Sequence, residues 1–274
     1  MTRFALNACQ MSLISLVVIA CTAQPSDTSA AATPTLYGAK PLSSIVNPAA
    51  EGHGTFLNKI VSVTGTAIVA IDSFDETENG KARGSIYVQQ VGSTGPYSGI
   101  ALFSPAFSPA DTRPALGDVF DWSGIYRESD RIGTGIFRVV GGVQPLLIQL
   151  EKPTGKLRFD SPGAPPPRDI NASDLIRYET ARPWLGMLVR VKNVTIAAGT
   201  TGASGRQTPT FNSSGDSSQA AAILANELMP FDQNTFQAGT EFSSIVGVVT
   251  YAFDVHLAPR SVADLQVAPS AQAE

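Results

Sequence analysis

The chain has 274 residues, a net charge of −4, 43% hydrophobic residues and 15% charged ones. A net acid lacks the broad basic face that displaces counterions from duplex nucleic acid, so that class of partner is disfavoured. The 24 glycines and 19 prolines favour a loop-rich β protein over a helical one. Both cysteines, Cys9 and Cys21, lie near the N-terminus. No disulfide or thiolate zinc site can therefore form after Cys21, which fits an oxidising compartment.

Arg3 gives a positive start, and Met11 to Ala20 then form an apolar run too short to span about 30 Å of hydrocarbon. The run ends Val18-Ile19-Ala20-Cys21, which resembles the lipobox of bacterial lipoproteins. The resemblance implies that residues 1–20 are a signal peptide cleaved before Cys21, with a diacylglyceryl group on its sulfur and an acyl chain on the new amine. Two or three chains anchor durably, since each buried CH₂ contributes about 0.8 kcal/mol. An ordinary signal peptide is the alternative. Thr22 rather than Asp resembles the pattern of proteobacterial lipoproteins exported to the outer membrane. Residues 21–41 are polar, small and proline-dotted, and are expected to be a disordered tether spanning about 25 Å.

Short β-rich segments punctuated by Gly, Pro, Asn and Asp follow. Lys59 to Asp72 predicts one long strand, bulged or bent at Gly65. "GSIYVQQ" alternates, with Ile86 and Val88 on one face and Tyr87 and Gln89 on the other. "GIALFSP" and "GDVFDWSGIYRE" continue the set, and "RIGTGIFRVV" (131–140) is expected to close it into a small barrel. Four prolines in "DSPGAPPPRD" predict a stiff connector.

The pattern then recurs. "GMLVRVKNVTI" parallels "NKIVSVTGTAI", and "AGTEFSSIVGVVTYAF" parallels "LGDVFDWSGIYRES" with an offset of one residue between their second glycines. Helix is scarce; "SSQAAAILANELM" reads as a helix or equally as a loop and short strand. The expected fold is all-β: two tandem OB-fold-like barrels over 42–157 and 174–266, a Pro-rich linker at 158–173 and a disordered tail at 267–274.

The segments "VSVTGTAIVAIDSFDETENGKARGSIYVQQ", "SGIALFSPAF", "LGDVFDWSGIY", "YETARPWLGMLVRVKNVTI" and "GVVTYAFDVHLAPRSVADL" resemble a group of tandem OB-fold lipoproteins of myxobacteria and relatives. They are also similar to the OB-fold modules attached to some secreted bacterial nucleases. The resemblance implies a fold and an envelope address rather than a chemistry.

Asp75, Thr77, Asn79 and Gly80 match positions 1, 3, 5 and 6 of a calcium loop, but the twelfth position is Ile86 instead of Glu. A hairpin turn explains the same residues. His53 and His256 are the only histidines; a solvated His53 and a packed or edge His256 are expected. No Gly-x-Ser-x-Gly occurs, and "TTGASGRQT" lacks the lysine of a phosphate loop. The Asp118/Asp121 and Asp72/Asp75 pairs read as solvated faces or turn caps. Tyr87, Gln89, Phe103, Trp122 and Tyr126 could stack a base or sugar on an outer face, or fill the barrel and a domain interface. Arg182, Trp184, Arg190 and Lys192 form a modestly basic cluster that could meet an anion or lie at a domain seam. No cofactor is expected. The sequence thus favours a non-catalytic, lipid-anchored envelope module meeting a protein or glycan. An accessory binder of extracellular single-stranded nucleic acid and a divergent secreted hydrolase are the alternatives.

Overall fold

The computed structural model describes residues 38–75, 79–158, 163–199, 205–213, 220–231 and 235–268. Cys21 and the export segment lie outside them, as does Thr77. Everything described belongs to one compact unit, Pro34–Glu274. Two short helices, α1 (Leu42–Val46) and α2 (His53–Phe56), precede β1 (Ile60–Ile71), β2 (Ile86–Gln90), β3 (Gly99–Phe103), β4 (Ala106–Ser108) and β5 (Val119–Ser129). A small hairpin, β6 (Arg131–Ile132) and β7 (Gly135–Ile136), separates these from β8 (Leu147–Arg158). The second half contains β9 (Arg168–Ile170), α3 (Tyr178–Ala181), β10 (Leu188–Ala198), β11 (Thr210–Ser213), β12 (Ala222–Leu224), β13 (Glu241–Ala252), β14 (Asp254–Ala258) and β15 (Leu265–Val267).

The protein is all-β with two closed, OB-like barrels. In the first, the order β1-β2-β3-β8-β5 returns to β1, with β3 and β8 parallel. In the second, β10-β11-β12-β14-β13 returns to β10, with β12 and β14 parallel. Each barrel therefore has the same five-strand circuit, with third and fifth strands parallel. Closure leaves the main strands no open edge. Outside the circuits, β4 pairs with β8, β9 with β10, and β15 with β13.

Strand alternation fills each interior. From β5, Phe120, Trp122 and Tyr126 point inward; Phe120 and Trp122 stack at 5.0 Å, and Phe107 meets each edge-on at 5.7 Å. The second core gathers Val189, Val191, Phe211, Leu224, Phe242 and Leu257. A third cluster, Val69, Ala70, Tyr87, Leu188, Val248 and Ala258, joins the barrels to each other. Gly99 and Gly186 permit this seam to close: a Cβ on Gly99 would lie 2.5 Å from the Gly186 carbonyl carbon, and Gly186 itself has φ +75°.

Several boundaries differ from the expectation. The strand that closes the first barrel is β8, not residues 131–140; of these, 131–136 form the β6–β7 hairpin and Phe137 is buried in the second core. Pro153 disguises β8, because proline argues against a central strand. It is tolerated at an irregularity in the β5 pairing, beside Gly124, where a Cβ would lie 2.8 Å from the proline ring. Lys40, assigned to the tether, already bridges to Val63 and donates its N–H to Ser62 O at 3.0 Å. Arg168–Ile170, in the expected linker, is a sheet strand, and Val267 belongs to β15 rather than a tail. Within "SSQAAAILANELM", Ala222–Leu224 is strand.

Candidate functional site

The expected aromatic face does not reach solvent. Trp122 and Tyr126 are 1% and 0% exposed, because β5 turns them into the barrel. Tyr87 and Gln89 point away from that interior, but the second barrel covers them. Gln89 is fully buried and its Oε1 accepts the Leu188 N–H across the seam at 2.9 Å. Only Phe103 of that set is exposed.

Arg182 leaves the basic cluster as well. Its Nη2 donates to Glu128 Oε1 at 2.7 Å, and the Tyr126 hydroxyl donates to the same oxygen at 2.7 Å. His53 is half-buried and paired instead of solvated: Nε2 lies 3.1 Å from Glu128 Oε1, and Nδ1 donates to the Ile45 carbonyl at 2.6 Å. α2, the first barrel and the entry to the second are thus tied through one carboxylate. Burial first, then the Glu128 charge, push the Tyr126 phenol far above its ordinary range. Arg190 and Lys192 both pair with Asp169, at 3.5 and 2.6 Å, and the Lys192 bond holds that carboxyl below its usual range.

In the calcium candidate, the Asp75 and Asn79 oxygens are engaged by backbone N–H groups. Asp75 Oδ1 accepts the Asn79 N–H, and its Oδ2 accepts those of Gly80 and Lys81. Asn79 Oδ1 accepts Lys81 N–H as well, so these oxygens face the loop's own backbone. Among the described residues no group of three or more His, Cys, Asp or Glu is arranged to hold a metal. Asp118 and Asp121 cap backbone N–H groups, of Ala115 and Gly65 respectively.

A different place gathers functional character. OB barrels hold ligands with the loops joining strands one to two and four to five. Here those loops from both barrels meet at one cleft of about 290 Å³. The first barrel supplies Asp72 and Arg83 from the β1–β2 loop and Ile132 from the β5–β8 excursion. The second supplies Arg206 from the β10–β11 loop, Phe253 from the β13–β14 turn, and Glu227 from just beyond β12. Arg83 also lines the narrow crevice that runs into the seam. Phe253, half exposed with φ +71°, packs on Gly135 and meets Phe137 edge-on at 5.4 Å.

The walls are fixed by buried polar contacts. Asn226 holds the Arg206 loop, its Oδ1 accepting the Gln207 N–H and its Nδ2 donating to Gly205 O. Glu227 accepts from His256 Nδ1 at 2.8 Å. Burial alone would raise the Glu227 carboxyl, but the His256 bond and charge, with Thr250 and Arg83, bring it down to about 2. His256 is thus packed and paired.

Arg83, Arg206, Glu227 and Phe253 were not singled out in the sequence. A large aromatic at a tight inter-strand turn was the one readable signal, since that position ordinarily takes a small or polar residue. No protein-family model matches the chain, and no curated protein proves similar to it.

Proposed function

We propose that this protein is a lipid-anchored binding module of the cell envelope, held through Cys21 and receiving a protein or glycan ligand in the four-loop cleft. The convergence of both barrels' ligand-type loops on one concavity supports this reading most directly. Phe253 offers an apolar contact surface, and Arg83 and Arg206 opposed by Asp72 and Glu227 offer donors and acceptors of both signs. That balanced lining suits a hydroxylated or zwitterionic surface better than a phosphate chain, which favours a cationic groove. The envelope address rests on the lipobox, and kinship with the myxobacterial tandem OB-fold lipoproteins rests on the quoted segments.

The test compares the parent chain with the Arg83→Ala/Phe253→Ala double variant on a glycan array and in capture from an envelope extract. A ligand held by the parent and lost by the variant is expected. A Cys21→Ser chain is expected to leave the membrane fraction. Absence of any cleft-dependent ligand would remove the proposal. Single-stranded DNA binding that weakens steeply with salt would replace it with the nucleic-acid reading.

A further inference from the structure

We infer that a second, separate groove on the second barrel binds a saccharide ring against Trp184. The groove has a volume of about 420 Å³ and is lined by Trp184, Arg168, Asp169, Lys192, Asn193 and Ser213, among others. Trp184 ends the 3₁₀ turn Arg182–Trp184 and is half-buried against the second core, so its ring is a fixed plate. Its indole N–H has no hydrogen-bond partner among the described residues, nor do the side chains of Arg168 and Asn193. Asp169 is held in place by Lys192 and Arg190.

An aromatic plate ringed by an amide, a carboxylate, a hydroxyl and cations matches a sugar, with its apolar ring face and a rim of hydroxyls that both donate and accept. The lining cations Arg168 and Lys192 are matched by Asp169 and Asp174, so the groove does not select a polyanion. The first barrel differs at the corresponding position. There, Gly65 stands where Asn193 does, and the Arg158 guanidinium lies 3.5 Å from where a Cβ would be. Asn193 keeps the left-handed backbone of that position, φ +52°, while adding an amide.

The chain has two tryptophans, and Trp122 is sealed in the first core, so Trp184 is the fluorophore a groove ligand touches. The full chain is titrated with cellotetraose, chitotetraose and a thymidine octanucleotide while tryptophan emission is followed. A saturable change with at least one sugar and none with the oligonucleotide is expected. Asn193→Gly retains the backbone geometry and should weaken the sugar about 5- to 10-fold, the loss of about one hydrogen bond. Arg83→Ala, in the four-loop cleft, should leave it unchanged, so this inference and the proposed function fail separately. No response to either sugar up to about 10 mM, a response to the oligonucleotide, an unaffected Asn193→Gly, or loss of sugar binding in Arg83→Ala would each overturn the assignment.

Discussion

Gly65 and Asp121 meet across the first barrel where the two halves of the repeat fall out of step: the Gly65 N–H donates to Asp121 Oδ1 at 2.8 Å. In the second barrel, Val189 faces Gly247 and Val194 faces Phe242 without a shift. In the first, Val61 faces Gly124 and Thr66 faces Phe120, so β1 carries one residue more than β5 between the same landmarks. The extra residue is absorbed as a bulge at Gly65, φ +62°, and Asp121 takes up the N–H it displaces. The barrels regain step at Gly117 and Gly239, whose N–H groups donate to Ile68 O and Ile196 O, both at 2.8 Å.

Gly65→Ala should therefore destabilise the protein by about 1–2 kcal/mol, the cost of a side chain on left-handed backbone. The added Cβ meets no clash, its nearest neighbour being Arg158 at 3.5 Å. Asp121→Ala should cost about 1 kcal/mol through the lost bond. Urea midpoints measure both, and a Gly65→Ala midpoint equal to the parent's would refute the bulge argument.

Glu128 governs a larger quantity. Its carboxylate and Arg182 are 9% and 16% exposed, and removing one partner of a buried pair typically costs about 3–5 kcal/mol. Glu128→Leu should fall in that range, while Glu128→Leu/Arg182→Met should recover part of the loss, because no buried cation is stranded. Additive losses in the double-mutant cycle would show that the two groups are not coupled.

The circuit of strands was legible because alternation and turn residues repeat locally: β1, β2, β3 and β5 all announce themselves. β8 was not, since Pro153 is acceptable only against Gly124, a partner contributed by another strand. The same limit hid the candidate site. Tyr87 and Gln89 alternate outward as a ligand face would, and only the docking of a second barrel buries them. Arg83, Arg206 and Phe253 are far apart in sequence, and their meeting depends on how the barrels share Gly99 and Gly186. Trp184 and Lys192, read in the sequence as one basic cluster with Arg182 and Arg190, line one groove, whereas Arg182, two residues from Trp184, turns to Glu128 instead.

Because the Gly99 and Gly186 backbones touch, either change to alanine forces the seam apart rather than straining one strand. Gly99→Ala should leave both barrel cores intact by near-ultraviolet dichroism, yet expose the seam to protease far faster than in the parent. A digestion rate matching the parent's would mean that the seam tolerates a methyl and that glycine is not required there.

Glu227 provides the pH dependence. Its carboxyl is brought from an ordinary 4.5 down to about 2 in the folded protein, so the unfolded chain binds the proton more readily. Unfolding then takes up a proton below pH 4.5, and the stabilisation is complete above that value and lost as pH falls towards 2. The side chain is 15% exposed, and the shift corresponds to at most about 3 kcal/mol. Urea denaturation of the parent between pH 5 and pH 2 should show this loss, and Glu227→Gln should flatten that part of the profile while lowering stability at pH 5. His256 then faces an amide in place of a charge, so the variant also separates the pair from the other carboxylates that titrate in the same window. An identical slope in Glu227→Gln would assign the acid sensitivity to those other groups.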